Sequence, residues 1–206
     1  MLTSRQRGFT VVELMFGVAL FGFVMMLALP SFTAMLNNSR LRDTGAAIMA
    51  GLQVARTEAL RRNQSVDFVL TGDAVDDTGS VTLTANTSGP NWAVLALDAS
   101  NNAVAPMIEA RSGLEGSNTS DPTALYARVT ASNLPATTTI RFDALGRSNV
   151  GNTNATFDVA PADANQCRAN GGDLRCMRVV VTASGRIRMC DPSVDPATSP
   201  NDTRAC

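Results

Sequence analysis

The chain has 206 residues and a formal net charge of −1, which fits one globular domain with an appendage. Hydrophobic residues make up 45% of the sequence and charged residues 17%, a balance that excludes extensive disorder and a general nucleic-acid polycation. All 17 basic residues are Arg, and the sequence contains neither Lys nor His. Ser-His triads, Lys Schiff bases and His-rich metal sites are therefore excluded, and most familiar enzyme classes with them.

Residues 9–29 form a long apolar stretch, FTVVELMFGVALFGFVMMLAL, in which Glu13 is the only charge. A helix of this length covers about 30 Å, the thickness of a bilayer's hydrocarbon core. Arg5 and Arg7 precede it, so the positive-inside tendency places the N-terminus in the cytoplasm and the rest of the chain outside. We therefore predict a single-pass membrane anchor, which stays attached because Ala28-Leu29-Pro30-Ser31 is a poor cleavage site for a secretory signal.

The residues at the start of this stretch, Arg7-Gly8-Phe9-Thr10-Val11-Val12-Glu13-Leu14, resemble the class III signal of type IV prepilins and type II secretion pseudopilins. The resemblance implies that a prepilin peptidase cleaves between Gly8 and Phe9 and that Phe9 is then N-methylated. It also implies that Glu13 pairs with the amine of a neighbouring subunit during assembly. A carboxylate near the bilayer interior costs about 2.5–3.5 kcal/mol and needs such a partner. The alternative is a hydrated Glu13 in an ordinary anchor.

Helical periodicity continues beyond Pro30, now with arginines and acids between the apolar positions. We predict one helix from Phe9 to Asn63, bent at Pro30, with an amphipathic half over residues 30–63 that packs on a head domain. The predicted buried stripe consists of Leu41, Ile48, Leu52, Ala55, Ala59 and Leu60.

From Gln64 onward, short apolar runs alternate with clusters of Gly, Asn, Asp and Pro, a pattern typical of β-strands and turns. The sequence therefore predicts an α+β fold. Residues 112–123 and 149–154 are predicted loops. The predicted strands are residues 66–70, 80–83, 92–97, 125–129, 139–142 and 177–181.

Three segments narrow the resemblance to the GspH/FimT group of minor pseudopilins and minor pilins: residues 52–63 at the end of the helix, and residues 140–147 and 184–188 in the head. This resemblance implies a type IV pilin-like fold, a long N-terminal helix packed on an antiparallel β-rich head. The implied organisation is a leader over residues 1–8, a membrane-spanning or filament-core helix over 9–29, the amphipathic half over 30–63, and a periplasmic head over 64–206. The implied location is the bacterial inner membrane.

All four cysteines, Cys167, Cys176, Cys190 and Cys206, lie in the last 40 residues. Their spacing lacks the close pairs of a zinc site, and an oxidising compartment favours disulfides over free or metal-bound thiols. Four cysteines allow three pairings. We favour the local one, in which Cys167–Cys176 closes a hairpin and Cys190–Cys206 fixes a Pro-rich tail.

The segment Gly185-Arg186-Ile187-Arg188 carries a second hypothesis. On a strand, Arg186 and Arg188 share one face while Ile187 and Met189 point inward, and Arg178 joins them from the preceding strand. By resemblance to minor pilins that take up DNA, these guanidinium groups are expected to contact phosphates. The alternative is an exposed hairpin edge whose arginines discourage strand addition.

The sequence thus predicts a structural subunit of the tip or initiating complex of a type IV pilus or type II secretion pseudopilus, with DNA uptake in natural transformation as the alternative. The expected partners are other pilins or pseudopilins, the prepilin peptidase, the inner membrane and, for the alternative, DNA. No cofactor or metal is expected. Enzymatic activity is not expected either, because no Gly-x-Ser-x-Gly elbow, P-loop or dinucleotide fingerprint occurs in the sequence.

Overall fold

The computed structural model describes residues 10–75, 82–112 and 127–206, and it describes the backbone alone for residues 27–31. One helix, α1, covers Val11–Arg62, close to the predicted limits of Phe9 and Asn63. The described residues divide after Asn37 into a first unit, up to residue 37, and a second unit, within residues 38–206.

In the second unit, α1 buries one stripe of apolar side chains. Leu41, Ile48, Leu52, Ala55 and Ala59 are each at most 1% exposed, as the predicted periodicity requires. Leu60 was predicted in the same stripe, but it is 49% exposed. It follows Ala59 directly, so it lies about 100° further around the helix and points away from the buried face.

The head contains two antiparallel sheets. The four-stranded sheet has the order β4-β3-β1-β6, and the five-stranded sheet has the order β2-β5-β7-β8-β9. The resulting α+β fold, with a long helix packed on an antiparallel head, confirms the predicted fold class. The strands are β1 Val66–Thr71, β2 Ser88–Gly89, β3 Asn91–Leu97, β4 Ala103–Arg111, β5 Arg128–Ser132, β6 Ile140–Phe142, β7 Ala155–Ala160, β8 Met177–Val181 and β9 Ile187–Cys190.

Four of the predicted strands correspond to β1, β3, β6 and β8. Two predictions were displaced. Of the strand predicted over 80–83, residues 80–81 lie outside the described residues and residues 82–83 are not in a strand. Of the strand predicted over 125–129, residues 125–126 lie outside the described residues, and the observed strand β5 covers Arg128–Ser132. The strands β2, β4 and β7 were not predicted, whereas β9 falls on the segment that the arginine hypothesis placed on a strand. The predicted loop over 149–154 is confirmed, whereas most of the loop predicted over 112–123 lies outside the described residues.

Aromatic side chains join the helix and both sheets in one core. The Phe68 ring stacks on Trp92, with centroids 5.5 Å apart, and meets Phe157 of the other sheet edge-on at 5.6 Å. Trp92 lies directly against the helix at Gly51, where a Cβ would come within 2.6 Å of the indole ring. Gly51 therefore lowers helix propensity but permits a close approach between α1 and β3.

Candidate functional site: the N-terminal segment and two arginine-bearing turns

The first turn of α1 is capped by Thr10 and Glu13. The Glu13 backbone N–H donates to Thr10 Oγ1 at 3.2 Å, and the Thr10 N–H donates to Glu13 Oε2 at 3.3 Å. This reciprocal arrangement is a capping box, and its Thr-x-x-Glu signature was missed in the sequence. Glu13 therefore has a local role in the single chain. Gly8 and Phe9, the predicted processing site, lie outside the described residues.

The first unit exposes its apolar side chains along α1. Phe16 is 72% exposed and Phe21 62%, and every side chain described over residues 10–26 is exposed. Within the described residues, no helix combines the length and the apolarity that a membrane crossing requires. The anchor predicted over residues 9–29 stays a prediction. The exposed large side chains are Val11, Val12, Leu14, Met15, Phe16, Val18, Leu20, Phe21, Phe23, Val24, Met25, Met26, Phe32, Met35 and Leu36.

Two disulfides join neighbouring cysteines near the end of the chain. Cys167 bonds Cys176 and Cys190 bonds Cys206, the pairing that the sequence analysis favoured. The second disulfide returns the tail to the end of β9, where Asp191 forms a parallel bridge with Ala205. All four thiols are in these bonds, so none is left for the zinc alternative.

The three arginines that were predicted to act together have different partners in the structure. The guanidinium of Arg188 donates from Nη1 to the Ala205 backbone oxygen at 3.1 Å and from Nη2 to the Cys206 backbone oxygen at 2.5 Å. Ile187 and Met189 pack against the core, as predicted. Arg188 lies on the outer face but serves to hold the tail, a partner that sequence spacing did not reveal.

Arg178 is paired with an acid from the neighbouring strand. The antiparallel register places it opposite Asp158 of β7, and the two form an ion pair with Nε and Oδ1 2.6 Å apart. The prediction overlooked this because β7 was not recognised in the sequence. Arg186, in contrast, is exposed, and within the described parts of the chain no acceptor is bonded to its guanidinium.

A turn held by several hydrogen bonds follows β6. Asp143 Oδ1 accepts hydrogen bonds from the N–H groups of Leu145 and Arg147, both at 2.9 Å, while Oδ2 forms an ion pair with Arg147. Burial raises the pKa of Asp143, but the N–H donors of Arg147 and Leu145 outweigh it, so the net pKa lies below its ordinary value. Gly146 takes a left-handed conformation with φ of 73°, which closes the turn. Leu145 at its apex is 70% exposed.

Arg56 of α1 ties this turn to the β8–β9 turn. Its Nε donates to the Gly146 backbone oxygen at 3.1 Å, and the same oxygen would clash with any Cβ on Gly185. The Ser148 N–H donates to the Ala183 oxygen at 3.0 Å, which joins the two turns directly. Arg56, Leu145 and Arg186 therefore lie at one end of the head. We refer to Arg56, Leu60, residues 143–147 and residues 182–186 as the turn surface.

Solved structures of other proteins are similar to this chain, among them the following three. The type IV minor pilin FimU of Pseudomonas aeruginosa (strain PAO1) has 19% identity and a TM-score of 0.47, and the alignment covers 75% of this chain and 90% of the FimU chain. The minor pseudopilin EpsH from the type 2 secretion system of Vibrio cholerae has 13% identity and a TM-score of 0.45, covering 75% and 99%. Escherichia coli GspH has 15% identity and a TM-score of 0.37, covering 81% and 93%.

At these identities and TM-scores the likenesses carry no functional argument. No curated relative matches the sequence significantly. Two family models do match. The prokaryotic N-terminal methylation motif matches residues 3–29, and the model described as type II transport protein GspH matches residues 44–185. Because the GspH match covers more than half of the chain, the chain belongs to the GspH family. It carries the N-terminal methylation motif as well.

Proposed function

We propose that this chain is a minor pilin or pseudopilin, a structural subunit of the tip or initiating complex of a type IV pilus or a type II secretion pseudopilus. The observation that carries the proposal is the presence, in one chain, of the methylation motif over residues 3–29 and the GspH region over 44–185. The proposed domain organisation follows it: a leader over 1–8, an inner-membrane or filament-core helix over 9–29, and a periplasmic head.

The exposed apolar side chains of the first unit support assembly into a larger structure. Isolated apolar residues on a surface are ordinary, but a helix that exposes Phe16, Phe21 and their apolar neighbours is expected to be covered by lipid or by other subunits. Glu13 is the only charge within residues 9–29. In the assembled form we propose that its carboxylate leaves the Thr10 cap and pairs with the Phe9 amine of a neighbouring subunit.

Mass spectrometry of the chain isolated from the membrane fraction tests processing. We expect an N-terminus at methylated Phe9, produced by the prepilin peptidase. Gly8→Val should abolish cleavage, whereas Thr3→Val in the leader leaves it intact. A chain that keeps Met1 in cells with an active peptidase contradicts the proposal.

Glu13→Gln tests assembly separately from processing. This change removes the charge but keeps the chain length, so cleavage is expected to continue while incorporation into filaments falls at least tenfold. Glu109→Gln, on the exposed strand β4, is the matched control and should assemble normally. Equal incorporation of both variants would contradict a role for the Glu13 charge.

DNA uptake is the alternative function, and exposed Arg186 is the observation that favours it. A DNA titration of the detergent-solubilised chain should lose affinity with Arg186→Ala. Arg178 and Arg188 already have partners in the head, so Arg178→Ala and Arg188→Ala should have smaller effects if DNA is bound through the turn. Identical weak binding by wild type and all three variants would remove the alternative.

A further inference from the structure

In the second unit, Leu60, Val104 and Leu145 are the large apolar side chains that are exposed within the described residues. Leu60 and Leu145 share the turn surface: the Leu60 methyl groups lie 3.3 and 3.4 Å from the position of a Cβ on Gly146, the residue after Leu145. Val104 lies apart on β4. Two of the three exposed apolar side chains are therefore concentrated at one end of the head.

The turn surface is also pre-organised. Asp143 fixes the backbone around Leu145, Arg56 holds the Gly146 oxygen, and the contact between Ser148 and Ala183 joins the second turn. The backbone that carries Leu145 is already held by these hydrogen bonds, so it has less freedom to lose when a partner covers the side chain, which favours binding.

The charged groups of the turn surface that lack a partner among the described residues are positive. Arg147 and Asp143 neutralise each other. The Nη groups of Arg56 and the guanidinium of Arg186 have no acceptor within the described residues. Free guanidinium donors beside exposed leucines are complementary to a surface that offers carboxylates around an apolar recess.

We infer that the turn surface docks another pilin-type subunit, through a partner surface that combines an apolar recess with Asp or Glu side chains. The inference rests on the proposed function, because it names the contact that the head makes in the assembly. Protein fits the surface better than DNA does. A phosphate backbone offers nothing to cover Leu60 and Leu145. The Arg186 guanidinium and the Nη groups of Arg56 are few donors for a polyanion that is usually held by many phosphate contacts.

Site-specific photo-cross-linking of the full-length chain in cells tests the inference. The photoreactive residue p-benzoylphenylalanine replaces Leu145 in one strain, Val104 in a second and Phe16 in a third. The Phe16 probe reports assembly through the N-terminal helix, and the Val104 probe is the matched control on the head. We expect the Leu145 probe to give an adduct with a pilin-type subunit, identified by mass spectrometry, and the Val104 probe to give none with the same peptide.

A charge reversal then tests the role of the arginine. Arg186→Glu should lower the yield of the Leu145 adduct about tenfold, the change expected when a charged contact becomes a repulsion. Arg128→Glu, at another exposed arginine on β5, should leave the yield within about twofold. Arg56 is left intact in these strains, because it also positions the turn.

The outcomes are distinguishable. An adduct from Phe16 without one from Leu145, or a Leu145 adduct insensitive to Arg186→Glu, overturns the inference and leaves the proposed function standing. No adduct from either position overturns both. A nuclease-sensitive adduct from Leu145 overturns the inference in favour of DNA as the partner.

Discussion

Both halves of α1 are rich in apolar side chains, yet they expose them very differently. Residues 11–26 present their apolar side chains to the outside, while Leu41, Ile48, Leu52, Ala55 and Ala59 lie in a core closed by two sheets. The first half has no described sheet to cover it, and its capping box joins neighbouring positions of the same helix. Apolar composition thus sets the need for burial, whereas the pattern of apolar residues decides whether the chain itself covers them.

We expect the largest effect when a Phe is replaced by Ala in the core of the head, compared with the same substitution in the first unit. Phe157→Ala removes a ring that is 1% exposed and contacts Phe68, so it should lower the free energy of unfolding of the head by about 3–5 kcal/mol. Phe21→Ala should leave head unfolding within about 0.5 kcal/mol, because Phe21 is 62% exposed and lies in the first unit. Urea titrations of the full chain in detergent, followed by the fluorescence of Trp92, measure both. Equal losses of unfolding free energy in the two variants would contradict the difference in burial between the two regions.

The tail of the second region depends on a covalent link more than on apolar contact. The double variant Cys190→Ser/Cys206→Ser opens a loop with a sequence separation of 16 and should lower the free energy of unfolding by about 3 kcal/mol. Ser199→Ala, in the same loop, keeps the disulfide and is the control. The same urea titration measures both variants. A double variant as stable as the control would show that Arg188 and the Asp191–Ala205 bridge alone suffice.

Two glycines of α1 give a third test. Gly51→Ala would bring a Cβ within 2.6 Å of the Trp92 ring, so overpacking should cost about 1–3 kcal/mol of head stability. Gly17→Ala meets nothing within 4 Å and should leave the head unchanged. Because the first change perturbs Trp92 directly, far-ultraviolet circular dichroism should follow unfolding. A stabilised Gly51→Ala variant would mean that helix propensity outweighs packing here.

The smallest expected effect concerns acid pH. Hydrogen bonds from Arg61 and then Arg62 lower the pKa of Glu58 from 4.5 to about 2. A carboxylate with a lowered pKa stabilises the folded state above its unfolded pKa, and this stabilisation is lost as pH falls from about 4.5 toward 2. Glu58 and its two arginines lie near the surface, so the loss of unfolding free energy should be under about 1 kcal/mol. Glu58→Gln should flatten that part of the pH profile, and an unchanged profile would contradict the role of the pair.

Local patterns predicted the helix, its buried stripe and four strands well, because each depends on periodicity within a short segment. β4 was missed because Pro106 and scattered charges interrupt its alternation. β7 was missed although its alternate residues Ala155, Phe157 and Val159 are apolar and buried, a period-2 signal in the sequence. The partners of the arginines were beyond such reasoning. Arg178 meets Asp158 only through the register of β7 and β8, and Arg188 meets the tail only after the chain has folded back.

The folded-back tail also affects how the five-stranded sheet can grow. At the Cys190 end of β9, the Asp191 N–H already donates to the Arg204 oxygen, and Ala205 bridges Asp191. A strand from another molecule cannot pair with the Asp191 backbone, because the tail already occupies it. The disulfide-bonded tail therefore protects this end of the sheet edge against strand addition. The closed tail thus limits strand addition at the Asp191 end of the five-stranded sheet, while the apolar side chains of residues 11–26 stay exposed.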